Sequence, residues 1–86
     1  MQVVVVGWRD PTTFNHWQVE EDAVEQTAGL IVSAGFLLKK GRKYLMVLLN
    51  KGVSNGAVSD YVTIPRGCVE FITVLGKVNV ETGEVE

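Results

Sequence analysis

Cysteine and histidine occur once each, as Cys68 and His16. A single thiol excludes an internal disulfide, and one cysteine with one histidine is too few ligands for a structural zinc site. Proline occurs twice, at Pro11 and Pro65. Each removes a backbone donor, so a strand must stop there or move to an edge. No apolar run approaches membrane length, and the valine run in MQVVVVG has no basic leader before it. It therefore reads as neither a signal peptide nor a membrane span, and the expected compartment is the cytoplasm. A glycine-rich phosphate loop is missing as well. Gly52 and Gly56 lack a following Lys-Ser/Thr pair and a strand-to-helix setting.

What is present is apolar. The 86 residues are 47% hydrophobic and 21% charged, which argues for a folded chain. Residues 1–86 are expected to form one domain, near the lower size at which a core suffices without staples. The net charge of −2 hides an asymmetry. Residues 1–38 hold the base Arg9 and the acids Asp10, Glu20, Glu21, Asp22 and Glu25. Residues 39–66 hold Lys39, Lys40, Arg42, Lys43, Lys51 and Arg66 against the acid Asp60. The whole protein is no bulk polyanion binder, but one end of it is suited to anions.

Gln2 to Val6 reads as a short buried strand, broken by Asp10-Pro11. Asn15 followed by Gln18 gives a capping-box signal for a helix from about His16 to Ala28, with Gly29 as its stop. Val19, Ala23, Val24 and Thr27 would share one face of it, and the acids crowd its first turns. Next comes a hairpin. With Lys40-Gly41 as a two-residue turn, Phe36 faces Leu45, Ala34 faces Val47 and Val32 faces Leu49. The other face pairs Leu37 with Tyr44, Gly35 with Met46 and Ser33 with Leu48, with Ile31 beyond. Both faces are apolar, so both need a cover. Gly35 lies mid-strand, where a sharp bend is expected. Residues 51–59 read as a loop with an Asn55-Gly56 turn. Tyr61–Ile64 and Val69–Leu75 read as strands, with Val62 and Ile64 inward. Residues 77–86 form either an extra hairpin about Thr82-Gly83 or a frayed tail.

The candidate chemistry is sparse. Lys39, Lys40, Arg42 and Lys43 cluster at the hairpin tip and are suited to gripping phosphates, although charged tips also serve solubility and deter edge pairing. Arg66, beside Gly67, is expected exposed at a rim, forking onto a phosphate, stacking on a base, or pairing with Asp60. Trp8, His16 and Trp17 lie in the stretch WRDPTTFNHW. The tryptophans either plug an open end of the core or offer a stacking surface for a base. Cys68 with His16 is the one nucleophile-and-base pair available, and a buried structural cysteine is the plainer reading. Glu20, Glu21, Asp22 and Glu25 lack the spacing of a calcium loop and read as a solvated helix face. No metal and no cofactor are expected.

Ile64-Pro65-Arg66-Gly67-Cys68-Val69 is similar to the I-P-x-x-x-V segment that closes SH3 domains, where one 3₁₀ turn links the last two strands. Arg66-Gly67 ahead of an apolar strand also resembles the second signature of Sm-like RNA-binding barrels, one residue shorter. Residues 30–75 resemble small uncharacterised phage and prophage proteins, in which a Gly-Phe-Leu-like step leads through a hairpin to an I-P-[RK]-G closing turn. SH3 domains that bind proline-rich peptides place an aromatic where Cys68 sits and open with an ALYDY-like segment, which this chain lacks. Sm-like proteins carry an Asp and Asn set in their first signature, of which Leu45 to Asn50 supplies only Asn50. The resemblance therefore implies architecture and assembly through strand edges, without proline-peptide or uracil recognition.

The expectation is a mostly β, SH3-like or Sm-like barrel of about five strands with one short N-terminal helix, forming a homo-oligomer. Its expected role is non-enzymatic: a phage or prophage accessory protein, in the host cytoplasm, that binds nucleic acid or a nucleotide-type ligand. The alternative is an interaction or assembly subunit whose partner, a host or phage protein, covers Ile31, Leu37, Tyr44, Met46 and Leu48. No membrane partner is expected. An enzyme using Cys68 is the distant third reading.

Overall fold

The computed structural model describes residues 1–10, 17, 19–20, 29–53 and 55–86. The helix expected from about His16 to Ala28 falls almost wholly outside the described residues, and His16 lies outside them. Five strands form one antiparallel sheet: β1 (Gln2–Asp10), β2 (Gly29–Lys40), β3 (Tyr44–Lys51), β4 (Val58–Pro65) and β5 (Val69–Lys77). Their order across the sheet is β4-β3-β2-β1-β5, so β4 and β5 are its two edges.

The connection between those edges decides the shape of the sheet. Only the 3₁₀ turn Arg66–Cys68 joins β4 to β5. Four strand spacings would part the edges of a flat sheet by about 19 Å. Three residues of 3₁₀ turn advance only about 6 Å. The sheet must therefore curl until the end of β4 reaches the start of β5. No ladder pairs β4 with β5 among the described residues, so the sheet is curled but open.

Side chains from all five strands meet in one core. Val4, Val6, Leu45, Val47 and Ile64 are buried, with Trp8, Leu37, Val62, Val69 and Ile72 packed against them. The alternation in β1 follows from its valines: Val4 and Val6 point inward, whereas Val3 and Val5 are half-buried on the other face. Val62 and Ile64 face inward as expected. β1 runs on through Trp8 to Asp10, well past Val6, because β2 pairs with it as far as Asp10↔Gly29. Gly29 opens β2 in this ladder.

The register of the β2–β3 hairpin corrects the expectation. Phe36 lies opposite Leu48 and Leu37 opposite Val47, and after a shift at Leu38, Lys39 meets Met46 and Lys40 meets Leu45. The tip is longer than two residues. Gly41, Arg42 and Lys43 form it, and the Gly41 N–H donates to the Tyr44 carbonyl at 2.9 Å. The longer tip and the extra residue at Leu38 slide β3 along β2, which carries Leu37 to the core face.

Gly35 marks a close approach of β2 to β3. A Cβ there would run into the Leu48 carbonyl oxygen, so only glycine lets the two backbones approach this closely. Beyond Phe36↔Leu48 no β2–β3 pair follows: the first half of β2 stays with β1 and the end of β3 stays with β4. β2 and β3 part at this fork. After β4, Pro65 ends the ladder, opposite Tyr44.

The tail forms a hairpin. Val78 bridges Val85, and Asn79 Oδ1 accepts from the N–H groups of Glu81 and Thr82 at 2.9 and 3.3 Å. Gly83 sits in the turn with φ +78, a conformation glycine adopts without strain.

Candidate anion-binding groove at the hairpin tip

The tip of the β2–β3 hairpin opens onto a groove of about 640 Å³, lined by Lys39, Gly41, Arg42, Lys43, Tyr44, Met46 and Thr63. Two ladders place these side chains. Leu45 and Val47 point into the core, so Tyr44 and Met46 project from the opposite face of β3. Met46 faces Lys39 on one side and Thr63 on the other. The tip residues Arg42 and Lys43 then close one end.

Charge here has a single sign. Among the described residues, three cations and no carboxylate line the groove. Tyr44 is half-exposed beside them, and Met46 adds an apolar floor. Phosphates suit such a surface through the cations, and a planar ring suits it through the phenol and thioether. Lys40, the fourth cation of the cluster, pairs across to Leu45 and is exposed outside the lining.

Arg66 departs from its expected place. It is half-buried, where exposure at a rim was expected. Its backbone N–H donates to the Lys43 carbonyl at 2.7 Å, which pins the closing turn to the basic tip. Its Nη1 is buried and has no hydrogen-bond partner among the described residues. Asp60 is not that partner; it accepts instead from Asn50 Nδ2 at 3.4 Å, and its backbone is left-handed at φ 52. Gly67 is exposed with open space around it.

The two described aromatics of the WRDPTTFNHW stretch have different settings. Trp8 packs against the core, and its indole Nε1 donates to Ser33 Oγ at 3.0 Å. That satisfies the donor an indole carries inward and leaves the ring in a packing role. Trp17 is fully exposed. Cys68 is a half-buried free thiol. Among the described residues no group of three His, Cys, Asp or Glu side chains is placed to hold a metal ion. No helix among them is long and apolar enough to cross a membrane.

The expected apolar partner face does not survive as one surface. Leu48 is fully buried, and Leu37 packs on the core as a consequence of the shifted register. Ile31 is half-buried opposite Trp8, while Tyr44 and Met46 line the basic groove. Sequence reasoning missed Thr63 because its place depends on the β3–β4 register. The adjacency of Tyr44 to Lys43 was a readable signal that the partner-face assignment obscured. The chain matches no family model, no curated protein and no solved structure.

Proposed function

We propose that this protein is a non-enzymatic binding module that holds nucleic acid or a nucleotide-type ligand in the groove at its β2–β3 tip. The observation that carries the reading is the lining itself: among the described residues, Lys39, Arg42 and Lys43 converge on a half-exposed tyrosine with no carboxylate beside them. Cations without acids favour phosphates, and the ring beside them gives a base something to stack on. We read the curled sheet as a small barrel of the SH3-like or Sm-like kind, which the short closing turn and the core drawn from all five strands support. On the resemblance of residues 30–75, the role is that of a phage or prophage accessory protein working in the host cytoplasm.

The test is oligonucleotide binding by fluorescence anisotropy across a salt series. Affinity is expected to fall steeply with salt, by about 0.7 to 0.9 log units per log unit of salt for each phosphate contact. Lys39→Ala, Arg42→Ala and Lys43→Ala together are expected to flatten that slope by about two units. Binding that ignores both salt and the triple variant would overturn the reading.

The alternative, an interaction subunit meeting a host or phage protein, has one observation in its favour. Leu49 and Tyr61 are large, apolar and 62% and 59% exposed. A partner seated there would protect both from solvent.

A further inference from the structure

The groove has a direction across it. Met46 pairs with Lys39 of β2 on one side and with Thr63 of β4 on the other. Those three side chains line the groove as one row, running from a cation through a thioether to a hydroxyl. Val62 and Ile64 face inward, so Thr63 between them faces out and is exposed. The other two lining cations, Arg42 and Lys43, belong to the tip. Among the described residues, β4 adds to the lining only the neutral Thr63. A nucleotide carries its groups in the same order: a phosphate, a flat ring, and a polar edge.

The spacing along β3 separates a single strand from a duplex. Tyr44 and Met46 stand two residues apart on one face, which sets them about 7 Å apart. That is roughly twice the rise of about 3.4 Å between neighbouring bases in duplex DNA. Bases resting on both side chains must therefore part from each other. A duplex base has its faces covered by stacking and its pairing edge taken, so neither face is open to a platform. Only an unpaired base offers a face to the ring or thioether together with a free edge for a hydroxyl. The competing ligand is a duplex whose major groove, about 12 Å wide, admits a two-stranded ribbon such as this hairpin. In that pose Tyr44 and Met46 would meet no base face.

We propose that the groove takes a single strand in preference to a duplex. Lys39, Arg42 and Lys43 hold its phosphates, two successive bases lie on Tyr44 and Met46, and a base edge meets the Thr63 hydroxyl. The inference rests on the reading of the groove as a nucleic-acid site, and it assigns Thr63 as a residue that sets base preference.

Fluorescence anisotropy at fixed salt compares a strand of about 12 nucleotides, as DNA and as RNA, with the same DNA as a duplex. The tighter single strand is expected to exceed the duplex by about 10-fold or more, the worth of one stacked base. Homopolymer strands are expected to differ in affinity. Thr63→Val keeps the branched shape and is expected to narrow that difference by about 3- to 10-fold, the net worth of one hydrogen bond. Its salt slope should match the wild type, since no cation is lost. A duplex that binds as tightly as both single strands overturns the inference and leaves the groove reading standing. Homopolymer ratios untouched by Thr63→Val overturn the placement of the base edge. A nucleoside monophosphate that displaces the strand at equal concentration overturns the two-base register. If neither single strand nor duplex binds, the inference falls together with the reading beneath it.

Discussion

The N–H of Arg66 donates to the carbonyl of Lys43 across 2.7 Å, joining the turn that closes the sheet to the tip that carries the positive charge. Two features far apart in sequence are thereby one structural unit. The backbone makes the bond, so it is indifferent to either side chain. Substitutions at these positions can therefore probe charge without undoing the closure.

The buried Nη1 of Arg66, without a hydrogen-bond partner among the described residues, makes such a substitution informative. An unsatisfied buried donor costs about 1 to 3 kcal/mol. Arg66→Met keeps the packing of the stem and removes the orphaned nitrogen. Thermal unfolding followed by circular dichroism is expected to show Tm unchanged or raised. A loss of more than about 1 kcal/mol would mean that the guanidinium has a partner in solution.

Tyr44 separates stacking from charge at the groove. Tyr44→Phe keeps the ring and is expected to bind oligonucleotide as well as the wild type. Tyr44→Ala is expected to lose about 1 to 3 kcal/mol, the usual worth of one base stacked on an aromatic. The salt slope should be unchanged in both, since neither removes a cation. Equal affinity for all three proteins would remove the tyrosine from the site.

Two glycines give opposite tests of close approach. At Gly35 a new methyl meets the backbone oxygen of Leu48, which cannot step aside. Gly35→Ala is expected to cost about 2 to 4 kcal/mol by urea denaturation. At Gly7 the obstacle is the ring of Phe71, a side chain on the edge strand that can swing outward. Gly7→Ala is expected to cost about 1 kcal/mol. Equal costs would mean that the fork between β2 and β3 relaxes in solution.

Much of the sheet was legible before any coordinates. The inward Val62 and Ile64, the Asn55-Gly56 turn and the closing 3₁₀ turn each rest on a local signal. Asn55 Oδ1 accepts from the Ala57 N–H at 2.9 Å, and Gly56 holds φ +71. The β2–β3 register was not legible, because both faces of the hairpin are apolar and no alternation fixes the slide. A longer tip and the residue bulged at Leu38 were enough to turn Leu37 inward. The groove was half legible. The cations announce themselves in sequence, whereas Met46 and Thr63 join them only through pairing across two ladders.

The place of β1 carries a consequence for how the chain folds. β1 lies between β2 and β5, so the first strand waits for the last: Gln2 pairs with Lys77. Val69 and Ile72, which complete the core, belong to that late strand. Completing the core therefore closes a loop from Gln2 to Lys77, the kind of non-local pairing that slows two-state folding toward the millisecond-to-second range. On the ribosome, the valines of β1 wait without their second neighbour until β5 has emerged.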